Sequence, residues 1–204
     1  TTLAEFAAAA RAIAKLGGDV TGTFFGGSCG GCGVFTWWPI LWADGEQVMS
    51  PDGKTSLLIS DSAKELYKTF ADMVTDGTAL MPDSKTEAGP TWTGYFPKGT
   101  VGIMPMPASL AGVANENLAD ADIGVTPIAG IKGGESTFVG GDSIGISANS
   151  EIPDQAWNFI AWTLSEEAQV GVLAANNDVV ARTDLASNEF SEQDERLVTI
   201  NEVA

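Results

Sequence analysis

Cys29-Gly30-Gly31-Cys32 is the most conspicuous chemical pattern in the sequence. Two thiols at this spacing could run thiol–disulfide exchange, but that chemistry needs a helix opening at the first cysteine and a cation nearby to hold a thiolate. The run from Gly22 to Gly33 is too rich in glycine for a stable helix at Cys29, and no Lys or Arg stands close in sequence. A structural disulfide that tightens a glycine-rich loop in an oxidising compartment is therefore the favoured reading. A thiol–disulfide oxidoreductase using Cys29 and Cys32 is the alternative. Zinc would need two further Cys or His ligands, which the sequence lacks, so no metal is expected.

The second pattern is the aromatic block of Phe35, Trp37, Trp38 and Trp42. At helical spacing Trp38 and Trp42 share a face, which suits ordinary core packing. A Trp face also matches the flat C–H face of a pyranose, with neighbouring polar groups taking the hydroxyls. Two adjacent tryptophans leave a helix in different directions, so one can pack while the other faces a cleft. Glu46, Glu87 and Asp142 are three carboxylates among many, and presence alone makes none of them catalytic. Gly140-Gly141-Asp142-Ser143 differs in its setting: two glycines clear space beside groups able to hydrogen-bond a neutral polyol, although a turn with an Asx cap explains it equally. Gly26 to Gly33 lacks the Gly-Lys-Ser/Thr ending of a phosphate loop.

Composition limits the chemistry further. The 204 residues carry 10 Lys+Arg against 27 Asp+Glu and no histidine, a formal charge of −17. Nucleic acid is excluded as a partner, because phosphate contacts need clustered cations. Without histidine there is no Ser-His-Asp triad and no Cys-His pair, and no catalytic residue is assigned. With 44% hydrophobic and 18% charged residues the chain is expected to fold around a core. No apolar run approaches the ~20 residues of a membrane span. The sequence opens at Thr1, without Met or a signal peptide, which suits a mature product or an excised piece.

The elements that must carry these groups alternate between helix and strand. A helix is expected from Leu3 to Leu16, with Thr2 and Glu5 as a capping box and Gly17-Gly18 as its stop. Val34–Ala43 can form a short helix, in which Pro39 is tolerable only near the first turn, and Glu46–Ile59 a hairpin about Pro51-Asp52-Gly53. Ser62–Asp76 is a helix on a stripe of Ala63, Leu66, Tyr67, Phe70 and Val74. A short helix around Trp92 and Phe96, a strand at Thr100–Met104 and a helix at Ser109–Leu118 follow. Next come a strand at Ile123–Ile128, a turn at Gly130–Gly134 and an extended Thr137–Ser147. Pro153 opens a helix with a buried stripe of Trp157, Ile160, Ala161 and Leu164. Ser165 caps another, and Ser191–Val203 is a last weak helix. The class is α/β.

The order of these motifs resembles a known family. The opening Thr-Leu-Ala-Glu-Phe-Ala-Ala-Ala-Ala-Arg helix, the block Trp37-Trp38-Pro39 to Ala43-Asp44-Gly45, and Phe96-Pro97-Lys98-Gly99-Thr100-Val101-Gly102-Ile103-Met104 are similar to extracellular solute-binding proteins of ABC sugar importers, the family that includes maltose-binding protein. Phe138 to Ser147, Ala156 to Ile160, Ser165 to Gln169 and Val180 to Leu185 continue in that family's order. The resemblance implies a periplasmic-binding-protein-like (type II) α/β lobe, with helices around a short mixed sheet, in an incomplete two-lobed clamshell. It assigns 1–138 to the second lobe, 139–190 to a crossing segment and helices of the first lobe, and 191–204 to a return toward the second. It implies binding of a mono- or oligosaccharide and delivery to a membrane permease, with no cofactor and no chemistry on the ligand. The complete protein would be a periplasmic or extracellular monomer, with lipid anchoring through its N-terminus as one form. Ligand contacts carried over by position are Phe35, Trp37, Trp38, Met106, Ser109, Gly141 and Asp142, with Arg182 reaching from the first lobe or held in a salt bridge. Cys29 and Cys32 are not general to the family and read as a subgroup disulfide.

Overall fold

A computed structural model describes residues 2–26, 28–29, 31–79, 94–106, 123–141 and 143–203. Helix α1 (Leu3–Ala14) opens as its capping residues dictate: the Thr2 hydroxyl oxygen accepts from the Glu5 N–H at 3.2 Å. It stops at Gly17 and Gly18, both in the left-handed region with φ of 76° and 75°. Leu3, Ala7 and Ala10 form its buried face. That face lies so close to the next segment that a Cβ placed on Gly22 would sit 2.1 Å from the Ala10 carbonyl oxygen.

The segment Thr21–Thr23 is the middle of a minimal sheet. Thr21 bridges Val101 and Thr23 bridges Ala79, both in parallel. The Thr21 N–H donates to the Thr100 carbonyl at 2.9 Å, and the Gly102 N–H returns to the Thr21 carbonyl at 3.0 Å. The strand expected at Thr100–Met104 is thus reduced to its pairing at Val101. Strands β1 (Ile128–Ala129) and β2 (Glu135–Ser136) make a separate antiparallel pair, in the register Ile128↔Ser136. The strand expected from Ile123 begins only at Ile128, because Pro127 has no N–H to give a ladder and Gly124 has no side chain to pack.

Proline also divides the expected helix over 34–43. Pro39 cannot donate to the carbonyl four residues before it, so the chain forms α2 (Cys32–Thr36) and α3 (Trp38–Ala43), with Pro39 in the first turn of α3. The hairpin at 46–59 exists as one antiparallel bridge, Met49↔Ser56, closed over Gly53 at φ 69°. Helix α4 (Asp61–Thr75) is capped by Ser60 and buries Ala63, Leu66, Phe70 and Met73. These residues join Leu3, Ala7, Phe25, Ile40 and Leu41 in the principal core.

Glu46 fastens the hairpin to that core. Its carboxylate accepts from the Ser60 hydroxyl at 3.1 Å and from the Ser62 hydroxyl, with Lys132 Nζ 3.7 Å away. The Ser62 hydrogen bond, foremost, holds the Glu46 carboxyl below the usual carboxylate range. A lowered folded-state value stabilises the fold in full above that range, and the gain is lost as pH falls through the lowered value. Glu46→Gln should therefore lower stability at about pH 7, and lose less than the parent on acidification to about pH 4, in urea unfolding at both values.

The C-terminal helices gather apart from the principal core. Helix α5 (Pro153–Thr163) is followed by α6 (Glu166–Ala168), capped by Ser165, and then by a wide turn over Gln169–Leu173. The buried Gln169 side chain ties this group together, donating to the Thr163 carbonyl at 2.6 Å and accepting from the Ala181 N–H at 2.7 Å. Helix α7 (Glu195–Val203) adds Leu197 and Ile200. The stripe expected to be buried on α5 is a correction: Ile160 is covered, but Trp157 is 61% and Leu164 50% exposed. Their helical spacing is as read, and no described element lies over them. No helix of the described residues is long and apolar enough to cross a membrane.

Candidate functional site

The glycine-rich loop, α2, the start of α3 and one turn of α4 enclose a pocket of about 260 Å³. That is just under the usual ~300 Å³ lower bound for small-molecule sites, so it fits one compact ligand or one unit of a longer one. Trp37, Trp38 and Tyr67 supply its rings, and Cys29, Cys32 and Thr36 its remaining side-chain heteroatoms. No charged side chain lines it among the described residues. Such a surface suits a neutral ligand with an apolar face and hydroxyl edges.

Each wall has a local cause. Trp37 is wedged into the core by stacking on Phe70, with centroids 4.6 Å apart at 15°, and by edge contacts with Phe25 and Tyr67 at 5.3 Å and 6.0 Å. Trp38 stands edge-on to Trp42 at 6.4 Å, and both are half-buried against the same core. The Thr36 hydroxyl donates to the Cys32 carbonyl at 2.6 Å, which leaves its oxygen as an acceptor. The two cysteines are joined in a disulfide. Cys32, not Cys29, opens α2, so the geometry that activates the first cysteine of a redox pair is not present.

The residues singled out in the sequence are only partly brought together. Trp37 and Trp38 line the pocket. Phe35 is 48% exposed and packs instead on Phe138, with centroids 4.6 Å apart, while Trp42 stacks on the same Phe138 ring at 6.2 Å. Met106 is half-buried just beyond the Val101 bridge, and does not line the pocket. Gly141 lies exposed in the extended segment, with open space around it. Ser109 and Asp142 lie outside the described residues, as do Glu87, the Trp92 end of one expected helix and the whole of the helix expected at Ser109–Leu118.

Arg182 belongs to the C-terminal group. Its guanidinium pairs with Asp184 and donates to the Leu164 carbonyl at 3.2 Å, capping the end of α5. The Asp184 hydrogen bond raises the Arg182 pKa, and the same contact lowers that of Asp184. Sequence reasoning missed Tyr67 as a pocket residue. Its signal was a hydroxyl-bearing ring within an otherwise apolar stripe on α4, the position where a half-buried aromatic turns its polar edge to a cleft. No group of three or more His, Cys, Asp or Glu gathers into a metal-binding cluster among the described residues.

The family model for bacterial extracellular solute-binding protein matches residues 1–170. No match to a curated protein is found by sequence. An ABC transporter solute-binding protein from Agrobacterium radiobacter, solved in complex with ribitol, is similar in structure with a TM-score of 0.79 at 18% identity. The match covers 100% of this chain and 52% of that one. A sugar transporter from Arthrobacter chlorophenolicus, with bound laminaribiose, aligns with a TM-score of 0.72 at 15% identity, over 100% of this chain and 50% of that one. These likenesses show the fold, an α/β partial lobe of the solute-binding type. The chain spans about half the length of either solved structure.

Proposed function

The chain belongs to the bacterial extracellular solute-binding proteins, and from that premise we propose that the complete protein binds a mono- or oligosaccharide and delivers it, chemically unchanged, to the membrane permease of an ABC importer. The observation that carries this reading is the uncharged pocket walled by Trp37, Trp38 and Tyr67. The polyol and disaccharide held by two proteins of the same fold support the ligand class. The thiol–disulfide oxidoreductase alternative is not favoured by the family or by the placement of Cys32 at the start of α2.

In this reading Trp37 or Trp38 stacks on the sugar and Asp142 takes hydroxyls, while Phe35, Met106, Ser109 and Gly141 border the cleft. Arg182, carried over as a contact from the first lobe, takes its other reading of a structural salt bridge, since its guanidinium is held by Asp184 and the Leu164 carbonyl. The family is extracellular by description, which places the protein in the periplasm or outside the cell. The complete protein works as a monomer, and a lipid anchor at its N-terminus would hold it beside the permease.

The same reading divides the chain into lobes. Residues 1–138 form the second lobe, 139–190 cross to the first and add helices to it, and 191–204 turn back. In support, among the described residues the principal core draws only on those up to Ile131, and Phe138 closes the aromatic cluster just before the exposed crossing segment. Phe159 and Trp162, whose rings stack at 6.0 Å, then form an uncovered aromatic face on α5, of the kind a packed neighbouring lobe would cover. Hydroxyl-radical footprinting of the complete protein should find Phe159 and Trp162 protected. Strong labelling of both would refute this division.

Calorimetric titration of the complete protein against polyols, monosaccharides and oligosaccharides tests the function. The expected result is one ligand class bound with Kd near the micromolar range, about −8 kcal/mol. Binding of peptides or metal ions in place of any sugar would overturn it.

A further inference from the structure

Building on the sugar reading above, we propose that the Cys29–Cys32 disulfide is a positioning element of the ligand pocket, and that affinity for a neutral polyhydroxylated ligand depends on it. Both cysteines line the pocket beside Trp37, Trp38 and Tyr67. A disulfide placed for global stability does best by closing a long loop, whereas this one joins residues three apart in sequence. Its effect is local, and the locality is the pocket wall.

The path from the sulfurs to the rings is continuous. The Cys29 N–H donates to the Gly26 carbonyl at 3.3 Å, and the Cys32 N–H to the Cys29 carbonyl at 3.2 Å and to Cys29 Sγ at 3.1 Å. Cys32 is buried, 5% exposed, at the first position of α2. One turn later the Thr36 hydroxyl reaches back to the Cys32 carbonyl, and the Trp37 N–H to the Gly33 carbonyl at 2.9 Å. The bond therefore fastens the glycine-rich side of the pocket to the helix that ends on its two tryptophans. Glycine-rich backbone otherwise samples many conformations, and ordering it on binding would reduce affinity. The disulfide imposes that order in advance, and its soft, polarizable sulfurs add apolar surface for sugar C–H groups.

The test compares oxidised wild type, wild type reduced by a phosphine, and the C29S/C32S double variant of the complete protein. Reduction gives two electrons to the S–S bond; water supplies two protons to the thiols and its oxygen to the phosphine oxide. Each form is titrated with the tightest-binding sugar of the panel, and amide hydrogen exchange is followed across residues 31–38 without ligand. The expected result is an affinity loss of about tenfold or more, with faster exchange at Cys32–Trp38 and unchanged exchange in α4. The Tm should fall by only a few degrees. Affinity within about twofold of wild type, unchanged exchange at 32–38, or a general rise that includes α4 would each overturn the proposal. No sugar binding by oxidised wild type would overturn the sugar reading itself and the disulfide's binding role with it, while unaltered affinity in a protein that binds overturns the disulfide's role alone.

Discussion

Trp38→Ala will weaken sugar binding by about 30- to 150-fold, the equivalent of ~2–3 kcal/mol, while the protein stays folded. The magnitude follows from the apolar area that one ring face hides from water against a sugar. Trp38 is the cleaner of the two tryptophans to test. It lines the pocket and is half-buried, with one edge contact to Trp42. Trp37 lines the same pocket but is stacked on Phe70 and edged by Phe25 and Tyr67. Truncating it opens a hole in the core and should cost about 3–5 kcal/mol of stability, so any loss of binding would be mixed with unfolding. Trp38→Phe keeps a flat ring and should recover most of the affinity. Isothermal titration alongside thermal unfolding separates these effects. An unchanged Kd in folded Trp38→Ala would remove Trp38 from the site.

The second large effect is on the fold. Gly22→Ala should lower the Tm by roughly 2–12 °C, because its Cβ would fall 2.1 Å from the Ala10 carbonyl oxygen and 2.6 Å from the carbonyl carbon. Both are backbone atoms of α1, so relief requires the helix to move off the central segment rather than a side chain to rotate. Overpacking of this kind costs about 1–3 kcal/mol or more, and each kcal/mol shifts the Tm by roughly 2–4 °C at this chain size. The Thr21–Val101 and Thr23–Ala79 bridges flank Gly22, so the same displacement strains the sheet on both sides. Differential scanning calorimetry of the complete protein reads the shift. A Tm within about 2 °C of wild type would show that α1 and the Thr21–Thr23 segment are not locked as described.

Local signals made the helices legible. Thr2, Pro153 and Ser165 stand at the helix starts, and Gly17 and Gly77 just past two of the ends, because capping and left-handed turns depend on residues adjacent in sequence, whereas the cap of α4 is Ser60, ahead of the expected start at Ser62. Strand pairing was less legible. Thr21, Ala79 and Val101 meet only through tertiary contacts, and a three-segment sheet this short leaves little periodic pattern to read. The split of the 34–43 helix was implicit in Pro39, whose missing N–H acts at Phe35 rather than at its own position.

Of the site, the aromatic residue types were readable and their roles were not. Trp37 and Trp38 differ by one position, yet one is wedged among three rings and the other is not. The cysteine pair was read as a loop clamp, and its place in the pocket wall depends on how α2 packs beside α4. The stripe on α5 shows the reverse case. Its periodicity is helical as read, but the expected burial is not found, because periodicity marks a face without saying what packs on it, and Trp157 stands 61% exposed.

The central claim is that a sugar sits in the pocket formed by the glycine-rich loop, α2, α3 and α4. A crystal structure of the complete protein with the best-bound sugar of the titration panel tests it most directly. A sugar ring should lie against the face of Trp37 or Trp38, within contact of the Cys29–Cys32 disulfide and near Tyr67. A sugar bound elsewhere in the protein, with this pocket holding only water, would contradict it.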